Sequence, residues 1–131
     1  MIVGSGIDLV EITRIQQSME RYGQRFLNRI FCAAELAYCL RKRNAVESLA
    51  ARFAAKEAAA KALGTGISRG VNWLEIEVTR EPGGRPSIRL HGRAAEIAQN
   101  IGVEHIALSL THTASLAMAS VVLEGGASSG A

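Results

Sequence analysis

The spacing of apolar positions changes along the chain, and each change predicts an element. Residues 2–12 are rich in β-branched side chains. Val3, Ile7 and Leu9 share one parity, while Ile2, Val10 and Ile12 share the other with Gly4, Gly6 and Asp8. Apolar residues on both faces predict a strand that is largely buried. Thr13 and Gln16 stand at capping-box spacing, which predicts a helix from Arg14 with Ile15, Met19 and Tyr22 on one face and Gly23 as its stop. Further helical turns follow over residues 24–31, where Phe26, Ile30 and Phe31 are apolar, and a short helix over residues 35–40.

The longest predicted helix covers residues 46–63. Val46, Leu49, Phe53, Ala60 and Leu63 form one stripe, and Ala51, Ala54, Ala55, Ala58 and Ala62 fill the opposite side. A helix that is apolar all round is a buried one, and an alanine face lets another backbone approach closely. Gly64, Thr65 and Gly66 end it. From Val71 the period becomes two, with Leu74, Ile76 and Val78 alternating with Glu75, Glu77 and Thr79. Glu81-Pro82-Gly83-Gly84 is a turn leading to a strand with Ile88 and Leu90. Residues 93–101 read as a helix, and residues 106–110 and 116–123 as strands joined closely enough to form an antiparallel hairpin. The pattern is that of an α+β protein whose sheet comes mainly from the C-terminal half.

Length and composition narrow this further. A chain of 131 residues has room for one domain, placed here at residues 1–124, and the small polar residues 125–131 read as a disordered tail. With 48% hydrophobic and 21% charged residues, a packed core is expected. No apolar run approaches the ~20 residues that cross a bilayer. The N-terminal MIVGSGIDLVEI has no basic segment and carries Asp8 early, unlike a secretory signal. If Cys32 and Cys39 share one helix, a rise of ~1.5 Å per residue puts them about 10 Å apart, beyond disulfide reach. Two reduced thiols imply the cytoplasm.

Charge is unevenly spread. Between Arg14 and Arg43 lie seven bases, including Arg21 and Arg25, against only Glu20 and Glu35. That excess is larger than the net charge of +3 for the whole chain. It suits phosphates, nucleic acid or an acidic protein, or is simply a solvated helix face.

Four groups occupy places where apolar residues are expected. Asp8, the only aspartate, sits within the first strand and needs a cation, donors or a proton: an arginine partner and a metal ion are the two accounts. Glu57 and Lys61 stand at i, i+4 on the long helix. Lys56 projects within the apolar stripe, with Arg52 one turn before it, and the four together suggest a lined cavity. Gly64, Thr65 and Gly66 offer backbone N–H groups to a phosphate, or only a helix stop. His112 continues the parity of Ile106, Leu108 and Leu110, as a core histidine or a ligand. Two carboxylates with spare coordination positions fit Mg2+ that also takes substrate phosphates, a site suited to phosphoryl-type transfer.

At these residues the sequence resembles the holo-acyl-carrier-protein synthases, the small bacterial 4′-phosphopantetheinyl transferases. The matching segments are GIDLVEITRI at 6–15, RFAAKEAAAKALGTGI at 52–67 and SLTHTASLAMASVVLE at 109–124. The resemblance implies an antiparallel sheet packed with a long central helix and shorter helices. It also implies transfer of the 4′-phosphopantetheine arm of coenzyme A to a serine of apo-acyl carrier protein, in fatty acid biosynthesis, with release of adenosine 3′,5′-bisphosphate. By position, Asp8 and Glu57 would bind Mg2+ and Lys61 would stabilise the pyrophosphate. Arg52, Lys56 and His112 would hold phosphates, and Gly64, Thr65 and Gly66 would border the nucleotide. A metal-bound water or Glu57 would take the serine proton. Arg14, Arg21 and Arg25 would dock the acidic carrier protein, with Met19 or Phe26 as an apolar anchor. The resemblance further implies a homotrimer with the cleft between subunits, and neither nucleic acid nor membrane as partner. A basic module binding RNA accounts for the arginines but not the buried acids, and 5% aromatics leave little for base stacking. A metal-dependent nuclease or phosphatase would use the same carboxylates.

Overall fold

The computed structural model describes residues 1–67 and 69–126. In chain order it runs β1 (Ile2–Glu11), α1 (Ile12–Tyr22), α2 (Gln24–Ile30), α3 (Ala33–Leu40), α4 (Ala45–Ala62), a 3-10 turn (Trp73–Glu75), β2 (Ile76–Arg80), β3 (Pro86–Leu90), α5 (Gly92–Asn100), β4 (Val103–His112) and β5 (Leu116–Gly125). The last two strands form the expected hairpin, and β1 pairs antiparallel with the far side of β5, giving the order β1-β5-β4. A separate two-stranded sheet, β2-β3, pairs Ile76 with Leu90 and Val78 with Ile88.

Helix α4 lies between the two sheets, and its alanines decide how close it comes. Register places Gly4, Gly6, Asp8 and Val10 of β1 on the same sheet face as Ala117, Ala119, Val121 and Leu123 of β5. Those four β5 residues are buried, as are Ala54, Ala58 and Ala62 of α4. A Cβ placed on Gly6 would overlap the carbonyl oxygen of Ala58, and one on Gly4 that of Ala62. Backbone therefore packs on backbone, and glycine is required at both positions for want of space.

Several boundaries differ from the sequence pattern. Helix α1 begins at Ile12, with Glu11 as its extended N-cap, so Thr13 and Gln16 form no cap. The cause is the sheet: Ile12 still donates its N–H to the Ser115 carbonyl at 2.9 Å, so strand and helix meet without a loop. Tyr22, expected on the buried face of α1, is exposed. Leu74 lies in the 3-10 turn and is exposed as well, because Asn72 caps that turn through its Oδ1 at 2.9 Å from the Leu74 N–H. Strand β2 thus starts only at Ile76. Gly125 belongs to β5, exchanging bonds with Met1, so the expected disordered tail does not begin there, and residues 127–131 lie outside the described residues. Cys32 precedes α3 as its N-cap rather than sharing a helix with Cys39, and both are free thiols. No described helix is long and apolar enough to cross a membrane.

Strand β1 is not buried on both faces. Ile7 is 60% and Leu9 57% exposed on the side of the sheet away from α4. Because β1 is an edge strand as well, this face is an open apolar surface.

Gly6→Ala forces α4 off the sheet or distorts β1, since the obstructing atom is backbone and no rotamer change relieves it. Overpacking of this kind costs about 1–3 kcal/mol or more, read as a lowered midpoint in chemical denaturation. An unchanged midpoint would show that the sheet and helix are not in backbone contact.

Candidate functional site

The close approach of α4 to β1 carries Glu57 and Lys61 over Asp8. Lys61 sits half-exposed at the last turn of α4 and reaches around the sheet edge, donating to Asp8 Oδ1 at 2.9 Å and to the Ile7 carbonyl at 3.2 Å. The Asp8 side chain is only 16% exposed. Its partner is thus a lysine, not one of the twelve arginines. Glu57, one turn back on α4, has its carboxyl pushed above the ordinary range, first by burial and then by the negative charge of Asp8. Lys61 and Arg14 pull in the opposite direction without cancelling this. Two carboxylates of distant sequence origin therefore share a half-buried place with two cations at its rim, and one of them is charged at a cost.

The lined cavity expected from Arg52, Lys56, Glu57 and Lys61 does not exist, because α4 turns the pairs to different sides. Lys56 is fully buried and cannot reach a ligand. Its ammonium pairs with Glu35 of α3 at 2.9 Å and donates to the carbonyls of Trp73 and Ile76. All three of its donors are thereby used. Glu35 is equally satisfied, accepting from the N–H groups of Cys32 and Val78 at 2.8 Å each. Lys56 is a structural clamp between α3, α4 and β2, and the cofactor-binding role expected for it is withdrawn. Glu35 was legible only as a lone acid in an apolar helix. Arg52 is 2% exposed and lies on this same side, over the ring of Tyr38.

Of the two readings of the glycine loop, the helix stop is the one its backbone shows. The N–H groups of Gly64, Thr65 and Gly66 all donate to the last carbonyls of α4, Gly64 to Lys61 and the other two to Ala60, at 3.0 to 3.2 Å. They cap the helix and offer nothing to a phosphate. The Thr65 hydroxyl oxygen is buried and has no hydrogen-bond partner among the described residues. Ser68, just beyond, lies outside the described residues. His112 shares the sheet face of Asp8, since it pairs with Ala117 while Asp8 pairs with Ala119, but it is exposed at the strand end rather than inside the core. Its Nδ1 lies 3.3 Å from the Thr113 carbonyl.

The basic residues of α1 and α2 form a continuous surface. Arg14, Gln17, Ser18, Arg21 and Tyr22 line one shallow groove, and Ser18, Tyr22, Arg25, Phe26 and Arg29 line its neighbour, of about 460 Å3. Arg29 and exposed Tyr22 were not anticipated here. The signal available was the four-residue spacing of Arg25 and Arg29, which places them along one side of α2, with Arg21 one residue before the end of α1.

The raised carboxyl of Glu57 makes a stability prediction. With its folded-state pKa above the unfolded one, ionised Glu57 disfavours the folded state at pH values above the folded pKa. The penalty vanishes below the unfolded value of 4.5. Without divalent ions, Glu57→Gln therefore melts at a higher temperature than the parent at pH 7, and the gap closes as pH falls through the raised pKa towards 4. A gap independent of pH would place the cause elsewhere.

Comparison with known proteins agrees with this geometry. The sequence pattern of the 4′-phosphopantetheinyl transferase superfamily matches residues 4–120. The holo-acyl-carrier-protein synthase of Koribacter versatilis is 58% identical over 124 residues, covering 95% of this chain and 99% of the relative. The crystal structure of the same enzyme from Neisseria meningitidis superposes with a TM-score of 0.85 at 36% identity, over 95% of this chain and 99% of that one. The Helicobacter pylori enzyme, solved in complex with coenzyme A, superposes with a TM-score of 0.81 at 33% identity, over 92% and 99% of the two chains. The α+β fold with its antiparallel sheets and long central helix is thus shared with solved members of a known group, and the chain belongs to the 4′-phosphopantetheinyl transferase superfamily.

Proposed function

We propose that the protein is a holo-acyl-carrier-protein synthase, which moves 4′-phosphopantetheine from coenzyme A to a serine of apo-acyl carrier protein for fatty acid synthesis. The serine oxygen forms a new ester bond to the phosphorus that bears the pantetheine arm. The phosphoanhydride bond of coenzyme A breaks, adenosine 3′,5′-bisphosphate leaves, and the serine proton passes to a base. The observation that carries this reading is the convergence of Asp8, Glu57 and Lys61 from β1 and α4.

The two carboxylates fit a magnesium ion. They are hard oxygen donors, they are close enough to raise the Glu57 carboxyl, and a site of one or two carboxylates leaves positions for water and substrate phosphates. Among the described residues no group of three or more acidic, histidine or cysteine side chains that could hold a metal ion occurs. When bound, the ion neutralises charge on the diphosphate. Asp8 and Glu57 would hold it. Lys61, half-exposed beside them, places an ammonium where the departing phosphate gathers negative charge. Gly64, Thr65 and Gly66, at the end of the same helix, would border the nucleotide. Arg52 would supply a cation and His112 a ring nitrogen to the remaining phosphates.

Acyl carrier proteins are acidic, and the arginine grooves of α1 and α2 suit one, with Arg14 joining that surface to the acidic pair because its charge reaches Glu57. The open apolar face of β1 carrying Ile7 and Leu9 supports the homotrimer, since self-association would cover it. Free thiols and a catalyst of fatty acid synthesis accord with the cytoplasm.

The deciding assay combines the protein with coenzyme A, Mg2+ and an apo-carrier protein, and follows the mass of the carrier. A gain of one phosphopantetheine is expected with the parent and none with Asp8→Ala, which stays folded. Activity retained in Asp8→Ala refutes the site, and release of free phosphopantetheine without acceptor would indicate a hydrolase instead.

Carrier docking is tested apart from chemistry. Arg21→Glu or Arg25→Glu should raise KM for carrier protein about tenfold and leave KM for coenzyme A unchanged. Arg14→Glu should alter both, because that side chain also acts on Glu57. Equal losses on both substrates for Arg21→Glu and Arg25→Glu would remove the docking surface.

A further inference from the structure

Among the described residues, Lys56 and Glu35 form the only ion pair with both side chains 0% exposed, and the chemistry proposed above makes no use of it. The pair completes a strand edge. Strand β2 has a partner strand, β3, on one side only. Two of its backbone groups go to side chains instead: the Ile76 carbonyl accepts from the Lys56 ammonium, and the Val78 N–H donates to Glu35 Oε2 at 2.8 Å. Glu35 Oε1 takes the Cys32 N–H at 2.8 Å as well as the ammonium at 2.9 Å. The ammonium also donates to the Trp73 carbonyl at 3.0 Å and lies 5.7 Å from the centroid of the Phe31 ring. One pair thus ties the start of α3, the middle of α4, the 3-10 turn and β2 together.

Net stability does not account for such an arrangement. Two charges withdrawn from water lose solvation that their attraction only roughly repays, and apolar side chains of similar volume hold elements together as well or better. What the pair adds is direction, because each of its bonds tolerates only a narrow range of angles. Helix α4 has particular need of direction. Ala50, Ala51, Ala54, Ala55, Ala58, Ala59, Ala60 and Ala62 are all buried, and methyl groups make shallow ridges that resist rotation weakly. A carboxylate roughly 6 Å from a helix axis moves about 2 Å when the helix turns by about 20°. Magnesium binds oxygen at about 2.0–2.1 Å in near-ideal octahedral geometry, so a displacement of that size removes a ligand. Lys56 and Glu57 are successive residues, about 100° apart around the axis, and fixing one fixes the other.

We propose that Glu35 is a positioning residue for the metal: through Lys56 it sets the rotation of α4, and so holds the Glu57 carboxylate where it shares an ion with Asp8. The proposal rests on the reading that Asp8 and Glu57 hold Mg2+. It adds a residue from a third element, α3, that governs how firmly they do so without touching the ion.

The test replaces the pair with apolar side chains of similar volume, Glu35→Leu together with Lys56→Met. The melting temperature should equal or exceed that of the parent. Titrated calorimetrically with MgCl2 alone, the double variant should show a Mg2+ Kd raised about tenfold, and the Mg2+ concentration for half-maximal turnover should rise by a similar factor. Glu35→Gln should raise both about threefold, and carries the test if the double variant fails to fold. Leu108→Val, a loss of core volume on β4, should leave both Mg2+ readouts as in the parent. Parent-like Mg2+ affinity in the folded double variant overturns the proposal. So does an equal shift in Leu108→Val, which would show general loosening in place of positioning. If instead the parent binds Mg2+ and neither Asp8→Ala nor Glu57→Gln changes its Kd, the reading of the metal site itself fails and takes the proposal with it.

Discussion

The contact of two backbones, β1 on α4, governs the rest of this structure. Gly4 and Gly6 lie under the carbonyls of Ala62 and Ala58 with no room for a methyl group. That separation determines what side chains beside it can do. Asp8 is two residues beyond Gly6 on the same sheet face, and Glu57 and Lys61 flank Ala58 and Ala62 in sequence. If larger residues held helix and strand a side chain apart, Lys61 could not reach both Asp8 Oδ1 and the Ile7 carbonyl, and Glu57 would not feel the charge of Asp8. Asp8, Glu57 and Lys61 converge from only two elements because small residues let those elements touch.

Closeness alone would not fix which residues of α4 face the strand, since an alanine-rich helix slides and rotates easily. The opposite side of the helix supplies the missing constraint. Lys56 spends its three donors on Glu35, Trp73 and Ile76, and Glu35 accepts from Cys32 and Val78. Hydrogen bonds are directional, so a network that is fully satisfied in one orientation is broken in every neighbouring one. Lys56 and Glu57 are adjacent, and a helix that points one towards α3 must turn the other away, towards β1. The buried ion pair is therefore better understood as a registration device than as a source of net stability, which buried pairs supply poorly.

This explains which parts of the molecule were legible in its sequence. Element types and the hairpin followed from periodicity, because β4, β5 and α4 are each long enough for the pattern to dominate. The start of α1 did not, because a tertiary bond from Ile12 to Ser115 overrides a local capping signal. Asp8, Glu57 and Lys61 stood out as charges among apolar residues. Lys56 stood out for the same reason and proved to be structural. A single sequence does not separate the two cases, because the partner that makes Lys56 inert, Glu35, comes from another helix twenty-one residues away. The glycine loop misled similarly: its N–H groups are those of a phosphate cradle, but helix capping consumes them first.

The exposed and unpaired charges share a physical origin. Ordinary folding would pair the buried Arg52 with an acid, as it pairs Lys56 with Glu35, and would keep Glu57 away from Asp8. Where it does not, the protein has kept positive charge without an anion on one side of α4 and excess negative charge on the other. A substrate carrying phosphates at both ends of a nucleotide, brought together with a divalent cation, complements both departures at once. On the proposed function, the unfavourable interactions at α4 would be relieved when the donor binds, and the helix would position it by its charge pattern and not by the shape of a deep cavity.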